Sequence, residues 1–499
     1  MGRALVVHGH FYQPPRENPW TGVVDEEPSA APFHDWNERI HRECYRAAAM
    51  VSLPEPSGST ARIFNAYTRM SFDFGPSLLS WLEREHPATY HLVVEADRTS
   101  SRKRGHGNAI AHPSTHAILP LANERDRRTL VRWGLADFRA RFGRSAEAMW
   151  LPETACDRGT ADVLVEEGMR FALLASRQAA RTRPLAGGDW TAAADLDTTR
   201  PYRYVHSAGR GSLDVFFFDA TLADALCVNP DTARAGTIAK RAAAAARDAD
   251  AVAHVVSDGE VWGHHVKDAT RELAALLQVE APAAGLETRN YGELCELRTP
   301  THEVELAHGA DGLGTSWSCE HGVARWMRHC GCGAISDAPS QEWRAPLRRA
   351  IDLVRDAAAE ALEGAGRELF DDPWAARDRW GEALVAGGRT PAEVVGDHAR
   401  SGLRDAERRR AGALLALHEH ALTMYTSCGW FFSDISGLEA VLVMRQAART
   451  LDALDALGLR APRAELLEAL GDARSNHPER GTGADVYQRV ALAARPKAP

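Results

Sequence analysis

The stretch VAHVVSDGE, residues 252–260, is the one whose reading decides the fold. Four apolar residues flank a histidine, with no helical spacing, and the run then ends in Asp258, Gly259 and Glu260. A short continuous apolar run bounded by turn residues is the pattern of a strand buried on both faces, as in parallel sheets. Working outward, the same pattern recurs in ALVVHGH (4–10), RIFNAYTRMSFDF (62–74), YHLVVEAD (90–97), AMWLPE (148–153), RFALLAS (170–176) and LDVFFFD (213–219). Segments with helical spacing lie between them, at 37–51, 76–85, 117–142, 158–167 and 231–247. Strands alternating with helices predict parallel βα units.

Many of these runs end in polar residues suited to chemistry: His8 and His10, Asp73, Asp97, Glu153, Asp219, Asp258 and Glu260. In a parallel α/β barrel the strand C-termini form one rim, and the active site is built there. Helix capping is the competing reading, and it weighs most for Asp97 and Asp219.

From about residue 341 the composition shifts to Arg, Ala, Glu and Leu in amphipathic helical patterns, as in EWRAPLRRAIDLVRDAAAEALEGAG. The expected organisation is a barrel over 1–300, a connecting segment carrying cleft residues over 301–340, and a helical region over 341–499.

Bulk properties narrow the function. The chain has 499 residues, 44% hydrophobic and 25% charged, as in an ordinary globular protein of two or three domains. With 59 basic against 68 acidic residues the formal charge is −9, which gives no electrostatic reason to bind nucleic acid or anionic lipid. Eight irregularly spaced cysteines argue for reduced thiols rather than a disulfide framework. The opening MGRALVVHGH has too short an apolar run for a secretory segment. No stretch reaches the ~18 apolar residues of a membrane span. A cytoplasmic protein is expected, and the oligomeric state is unreadable.

Several constellations carry chemistry. HGHFYQPP (8–15) places His8 and His10 on one face of a strand end. They suit a metal pair, hydrogen bonds to sugar hydroxyls, or a satisfied core. GHGNAIAH (105–112) sets His106 between glycines that permit close approach, and adds the donor–acceptor Asn108. WLPETA (150–155) delivers Glu153 to a strand mouth, and VVSDGEVWGHH (255–265) delivers Asp258, followed by Trp262, His264 and His265. Glu153 and Asp258 are the carboxyls to pair, because glycosidic cleavage needs one protonated and one ionised carboxyl flanking the bond. Trp150 and Trp262 offer faces for sugar rings, against the commoner alternative of core packing.

TSWSCEHGVARWMRHCGCG (315–333) combines Trp317 with Cys319, Cys330, Cys332 and the histidines His321 and His329. The three cysteines with His321 or His329 are candidates for a structural zinc, but the C-x-C is tighter than zinc-finger spacing, so no metal ligand is assigned and the question stays open. MYTSCGWFFSDISGLE (424–439) is an aromatic segment that fits a packing seam or a cleft wall. Two other classes compete with a glycosidase. One is a metal-dependent polysaccharide deacetylase-like hydrolase using His8, His10, Asp258, His264 and His265, weakened by the lack of an Asp-Asp pair near a strand end. The other is a non-catalytic glycan-binding relative, against which both candidate carboxylates stand.

Taken in order, HGHFYQPP, GHGNAIAH, WLPETA and SDGEVWGHH resemble the first four motifs of glycoside hydrolase family 57. HGHFYQPPRENPW, HDWNERI, FGPSLLSWLE, TSWSCEHG and MYTSCGWFFSDISGLE resemble the subgroup that joins a family 57 domain to a DUF3536 region. The resemblance runs to about residue 450. It implies an incomplete (β/α)7 barrel followed by an all-α C-terminal region. It implies a retaining hydrolase or glucanotransferase of α-amylase/4-α-glucanotransferase type, acting on α-glucosidic linkages by double displacement. Glu153 would be the nucleophile and Asp258 the acid/base, their carboxyls about 5–5.5 Å apart. His8, His10, His106, Asn108 and Trp317 would line the pocket, joined by Trp150, Trp262 and His264. The substrate would be an oligo- or polysaccharide, with no metal or cofactor required.

Overall fold

The computed structural model describes residues 2–54, 61–332 and 340–496. The chain divides into two compact units. One comprises Met1–Gln13, Glu26–His112 and Arg141–His308, the other Pro14–Asp25, Pro113–Ala140 and Gly309–Pro499.

The first unit is the barrel. Its central strand, Ala4–Phe11, is buried at every residue. It pairs in parallel with Val252–Asp258 on one side and Ser71–Phe74 on the other. The parallel order then continues through the bridges Phe72–Ala109, Ala111–Met149 and Ala148–Phe171. Phe171–Ala175 next pairs in parallel with Ser212–Phe218. The order is therefore seven parallel positions, two of which, around 109–111 and 148–149, are only a bridge or two long. Ser212–Phe218 lies beside Val252–Asp258. No ladder joins those two among the described residues. Instead Ser212–Phe218 pairs antiparallel with Pro201–Val205, which begins an extension through His302–Leu306, Ala179–Pro184 and Thr191–Ala192. This is an incomplete (β/α)7 barrel.

Side chains fill its interior, as in other α/β barrels. Trp150 stacks on His8 at 4.8 Å. Toward the N-terminal ends, Tyr291 stacks on His254 at 5.6 Å and packs against Phe216.

Two strand expectations differ from the structure. Residues 90–97 lie inside the helix Pro87–Arg104. Their buried members Tyr90, Val93, Val94 and Asp97 recur at helical spacing, so the β-rich run is the inner face of a helix. Pro87 at its first turn and the left-handed Gly105 just past its end delimit it. The third barrel position comes instead from 109–111. The segment 62–74 also divides: Ala61–Phe64 forms a hairpin with Val51–Pro54, and only Ser71–Phe74 enters the barrel.

The second unit is helical. Its long helix Arg344–Gly364 buries Leu347, Ala350, Ile351, Val354, Ala357, Ala358 and Ala361, one continuous apolar stripe. Asp405–Thr423 and Leu438–Ala456 contribute similar faces. This unit is not the contiguous block expected over 341–499. It takes in 113–140 through a buried network on Arg377, whose guanidinium donates to Asp126 at 2.6 Å and Thr129 at 2.7 Å, while Trp133 donates to the Arg377 carbonyl at 2.8 Å. It takes in 14–25 through Trp20, which donates to Asp452 at 2.9 Å, and the Arg445–Asp25 pair at 2.9 Å. Among the described residues no helix is long and apolar enough to cross a membrane.

Candidate active site

The barrel register brings the strand-end residues together. His10 is the cross-strand partner of Asp258 on one side and of Asp73 on the other. His8 and His10 alternate to the same face of the strand, as do Ser71 and Asp73. Asp73 is completely buried and holds both rings: His8 Nε2 at 3.1 Å from Oδ1, and His10 Nδ1 at 2.8 Å from Oδ2. The Ser71 hydroxyl meets His8 Nδ1 at 3.0 Å. A carboxylate accepts from both imidazoles only if His8 carries its proton on Nε2 and His10 on Nδ1. Burial lowers the pKa of both rings, that of His10 to about 4, so both are neutral at pH 7. Burial also raises the Asp73 carboxyl, against the stabilising bond to His8.

Trp150 follows the fourth strand position and stacks on His10 at 5.1 Å as well as on His8. The chain then makes a tight turn, Pro152–Thr154, in which Glu153 (φ 58°) and Thr154 (φ 48°) are both left-handed. Two successive non-glycine residues there cost about 1–2 kcal/mol each. The fully buried Gln178 holds the turn: it accepts from Thr154 Oγ1 at 2.9 Å and from the Ala175 N–H at 2.9 Å, and donates to the Thr154 carbonyl at 2.8 Å. Glu153 is near enough to His10 and Asp258 for its charge to act on both.

Asp258 is driven well above the ordinary carboxyl range, first by burial and then by repulsion from Glu260, Glu153 and Asp73. Glu260, two residues on, is pushed up to about 7 by burial, opposed by the Tyr45 hydroxyl donating at 2.6 Å and by the Tyr12 backbone N–H. Gly259 between the two acids has no alternative, because a Cβ there would lie 2.1 Å from the Phe11 ring. The rim is completed by Tyr12 and His112, whose ring planes lie within 9° of His10 at 5.8–6.1 Å.

The family model for glycosyl hydrolase family 57 matches residues 5–305, more than half of the chain. The chain belongs to glycosyl hydrolase family 57. A second model, a domain of unknown function (DUF3536), matches residues 340–498. Among solved structures, this family 57 chain is similar to an exo-type maltose-forming amylase from Pyrococcus sp. ST04, at 15% identity and TM-score 0.69, covering 94% of this chain and 83% of that one. It is similar to a GH57-type branching enzyme from Pyrococcus horikoshii at 14% identity and TM-score 0.55, covering 99% and 98%. An α-amylase from Thermotoga maritima follows at 12% identity and TM-score 0.52, covering 98% and 100%. No curated protein matches it in sequence.

Of the residues singled out from the family 57 motifs, the structure gathers His8, His10, Trp150, Glu153 and Asp258. It sets others elsewhere. His106 precedes the third strand position, at the N-terminal end of the barrel, where its ring lies 2.9 Å from Glu147 and 3.2 Å from Glu296. Asn108 spends its side chain on structural bonds with Ser100, Asn290 and the Tyr67 carbonyl. Neither faces the rim, because the bridge at Ala109 puts both before the strand. Trp262 and Trp150 are both fully enclosed, so neither offers the open face to a sugar that the sequence suggested; Trp150 instead backs His8 and His10. His264 is held by Glu43 at 2.5 Å and abuts Trp36 edge-on. Trp317 lies in the helical unit, partly exposed. Asp97 and Asp219 are structural: Asp97 takes both Arg144 nitrogens at 2.8 and 2.9 Å, and Asp219 caps Ala220–Val228.

The sequence reading placed Asp73 and Glu260 at strand ends without giving them a role, and it missed Tyr12, Tyr45, His112 and Gln178 beside this site. Ser71–Phe74 carried a signal for Asp73 in its alternation, and the spacing Asp-Gly-Glu carried one for Glu260. Nothing local marks Gln178.

Proposed function

We propose that the chain is a retaining glycoside hydrolase or glucanotransferase acting on α-glucosidic linkages of α-glucans. The observation that carries this reading is a pair of carboxyls in different surroundings. Burial and the repulsion of its neighbours, Glu153 among them, raise Asp258 well above the ordinary carboxyl range, and Glu153 sits on a strained, braced turn. A retaining glycosidase needs such a pair.

In this mechanism Glu153 attacks the anomeric carbon while Asp258 protonates the departing glycosidic oxygen. A glycosyl ester on Glu153 results. Asp258, now ionised, takes a proton from water or from an acceptor hydroxyl, which displaces Glu153 and regenerates the pair. The neutral ring of His10, oriented by Asp73, presents a fixed dipole to a sugar hydroxyl without adding charge, and His8 braces Asp73 from behind. The names of the similar structures, an amylase and a branching enzyme, support α-glucans as the substrate class.

Of the residues the deacetylase-like alternative would use, only His10 falls in a candidate metal cluster; His264 is engaged by Glu43, and no such cluster among the described residues contains His8, Asp258, His264 or His265. Product analysis on a panel of α-glucans and maltooligosaccharides tests the proposal, with trapping by a fluorinated glucosyl fluoride followed by peptide mapping. Label on the Glu153 peptide is expected. Label elsewhere, or no product from any α-glucan, refutes it.

A further inference from the structure

The segment 315–332 lies in the helical unit and takes no part in the chemistry above. It gathers Cys319, His321, Cys330 and Cys332, whose ligand atoms all fall within 4.8 Å of one another. The Cys319 sulfur is 4.0 Å from that of Cys330 and 3.9 Å from that of Cys332, and His321 Nδ1 is 3.3 Å from the Cys332 sulfur. We propose that these four residues form a structural zinc site.

The first argument is metric. With Zn–S near 2.3 Å and Zn–N near 2.0–2.1 Å, a tetrahedral site has sulfur–sulfur edges of about 3.8 Å and sulfur–nitrogen edges of about 3.6 Å. Three of the six edges, at 4.0, 3.9 and 3.3 Å, fall within a few tenths of an ångström of these values, and the rest are no longer than 4.8 Å. A disulfide, in contrast, requires sulfurs at about 2.05 Å and would use two of the three thiols while stranding the third.

The second argument is the local chain. Gly331, between Cys330 and Cys332, is left-handed at φ 83°, so a C-x-C spacing turns tightly enough for both sulfurs to face one centre. The Cys332 N–H donates to the Cys330 sulfur, and the Arg325 N–H donates to that of Cys319. The other nearby histidine, His329, is not a member of the cluster, since its Nδ1 accepts from the Gln341 N–H at 3.2 Å.

The third argument is charge, and it is independent of the other two. Arg344 is fully buried at the start of the helix Arg344–Gly364. Its guanidinium reaches the Cys330 sulfur at 4.0 Å, the Cys332 carbonyl at 3.3 Å, Gln341 Oε1 at 2.6 Å and the Phe431 carbonyl at 3.5 Å. None of these partners is a carboxylate. A buried cation needs a counter-charge. Zinc bound by three thiolates and a neutral imidazole carries a net charge of −1, and it supplies that counter-charge through Cys330. Four protein ligands close the coordination sphere, so the site is structural rather than catalytic.

The test is metal analysis of the purified full chain. About one zinc per chain is expected, falling to near zero in Cys330→Ser and Cys332→Ser and unchanged in Cys295→Ser. His321→Cys preserves four donors and should retain zinc, whereas His321→Ala should lose it. Because the serine variants can fail to fold, chelator-treated wild type is also titrated with Co(II). Thiolate charge-transfer and tetrahedral d–d bands are expected, bleached by added Zn(II). Folded wild type without zinc that develops no such bands overturns the proposal. So does zinc retained in both serine variants, or a disulfide among these cysteines in protein kept from oxidants.

Discussion

Gln178 offers the sharpest test of how the fold positions Glu153, the proposed nucleophile. The Gln178→Ala substitution removes three hydrogen bonds from a fully buried side chain, at 2.9, 2.8 and 2.9 Å. At about 1 kcal/mol each, the expected loss of stability is about 3 kcal/mol. The catalytic loss has a separate origin. Those bonds hold Glu153 and Thr154 in the left-handed region against roughly 2–4 kcal/mol of combined backbone preference. Without them the turn relaxes and the Glu153 carboxyl moves. A displacement of about 1 Å in a reacting group costs on the order of 10²-fold in rate. The assay pairs denaturant unfolding with kcat and KM on an aryl maltooligosaccharide, measured where the variant is fully folded. A drop of about 10²-fold in kcat with little change in KM is expected. Gln178→Glu can still accept from Thr154 and Ala175 but cannot donate to the Thr154 carbonyl, so it should fall between. If the folded Ala variant loses stability yet turns over at the wild-type rate, Gln178 does not hold the nucleophile and the reasoning fails.

Other outcomes follow from the same geometry. Glu153→Gln should lower turnover by several orders of magnitude with the fold intact by circular dichroism; unchanged turnover would remove Glu153 from the mechanism. Asp258→Asn should abolish turnover of unactivated substrate yet stabilise the protein at neutral pH. Its carboxyl holds a proton in the folded chain that the unfolded chain releases above its ordinary value of 3.8, so the folded state is penalised as pH rises from there. Unfolding curves at acid and neutral pH check the sign, and the gain should vanish below that value. Glu260→Gln removes the nearest repelling charge and keeps an acceptor for Tyr45. Asp258 should then deprotonate more readily, and the alkaline limb of kcat/KM should move to lower pH; a shift upward would contradict the assignment.

Much of this was legible in the residues. The run at 252–260, the apolar strands around 4–11 and 171–175, and the acids Glu153 and Asp258 at strand ends all announce themselves through short-range periodicity. The helical half does the same through its stripe from Leu347 to Ala361. Where local pattern and tertiary context disagreed, context prevailed. Residues 90–97 have β-rich composition, but their buried positions follow a helical period, and the strand they were expected to form is supplied by 109–111. His106 and Asn108 sit in the right motif at the wrong end of its strand. The motif does not say where pairing begins, and Ala109 is the first paired residue.

What the amino-acid sequence determined by itself is therefore the set of elements and the chemistry-bearing residues at their ends. Both are written in spacings of two to four residues. The tertiary structure alone decided which of those residues meet. It set His10 level with both Asp73 and Asp258, drew Gln178 under the Glu153 turn, tied 113–140 to Arg377, and brought Cys319 to Cys330 and Cys332. The physical reason is that strand register, barrel closure and buried hydrogen bonding join groups tens to hundreds of residues apart, and no local periodicity encodes those pairings.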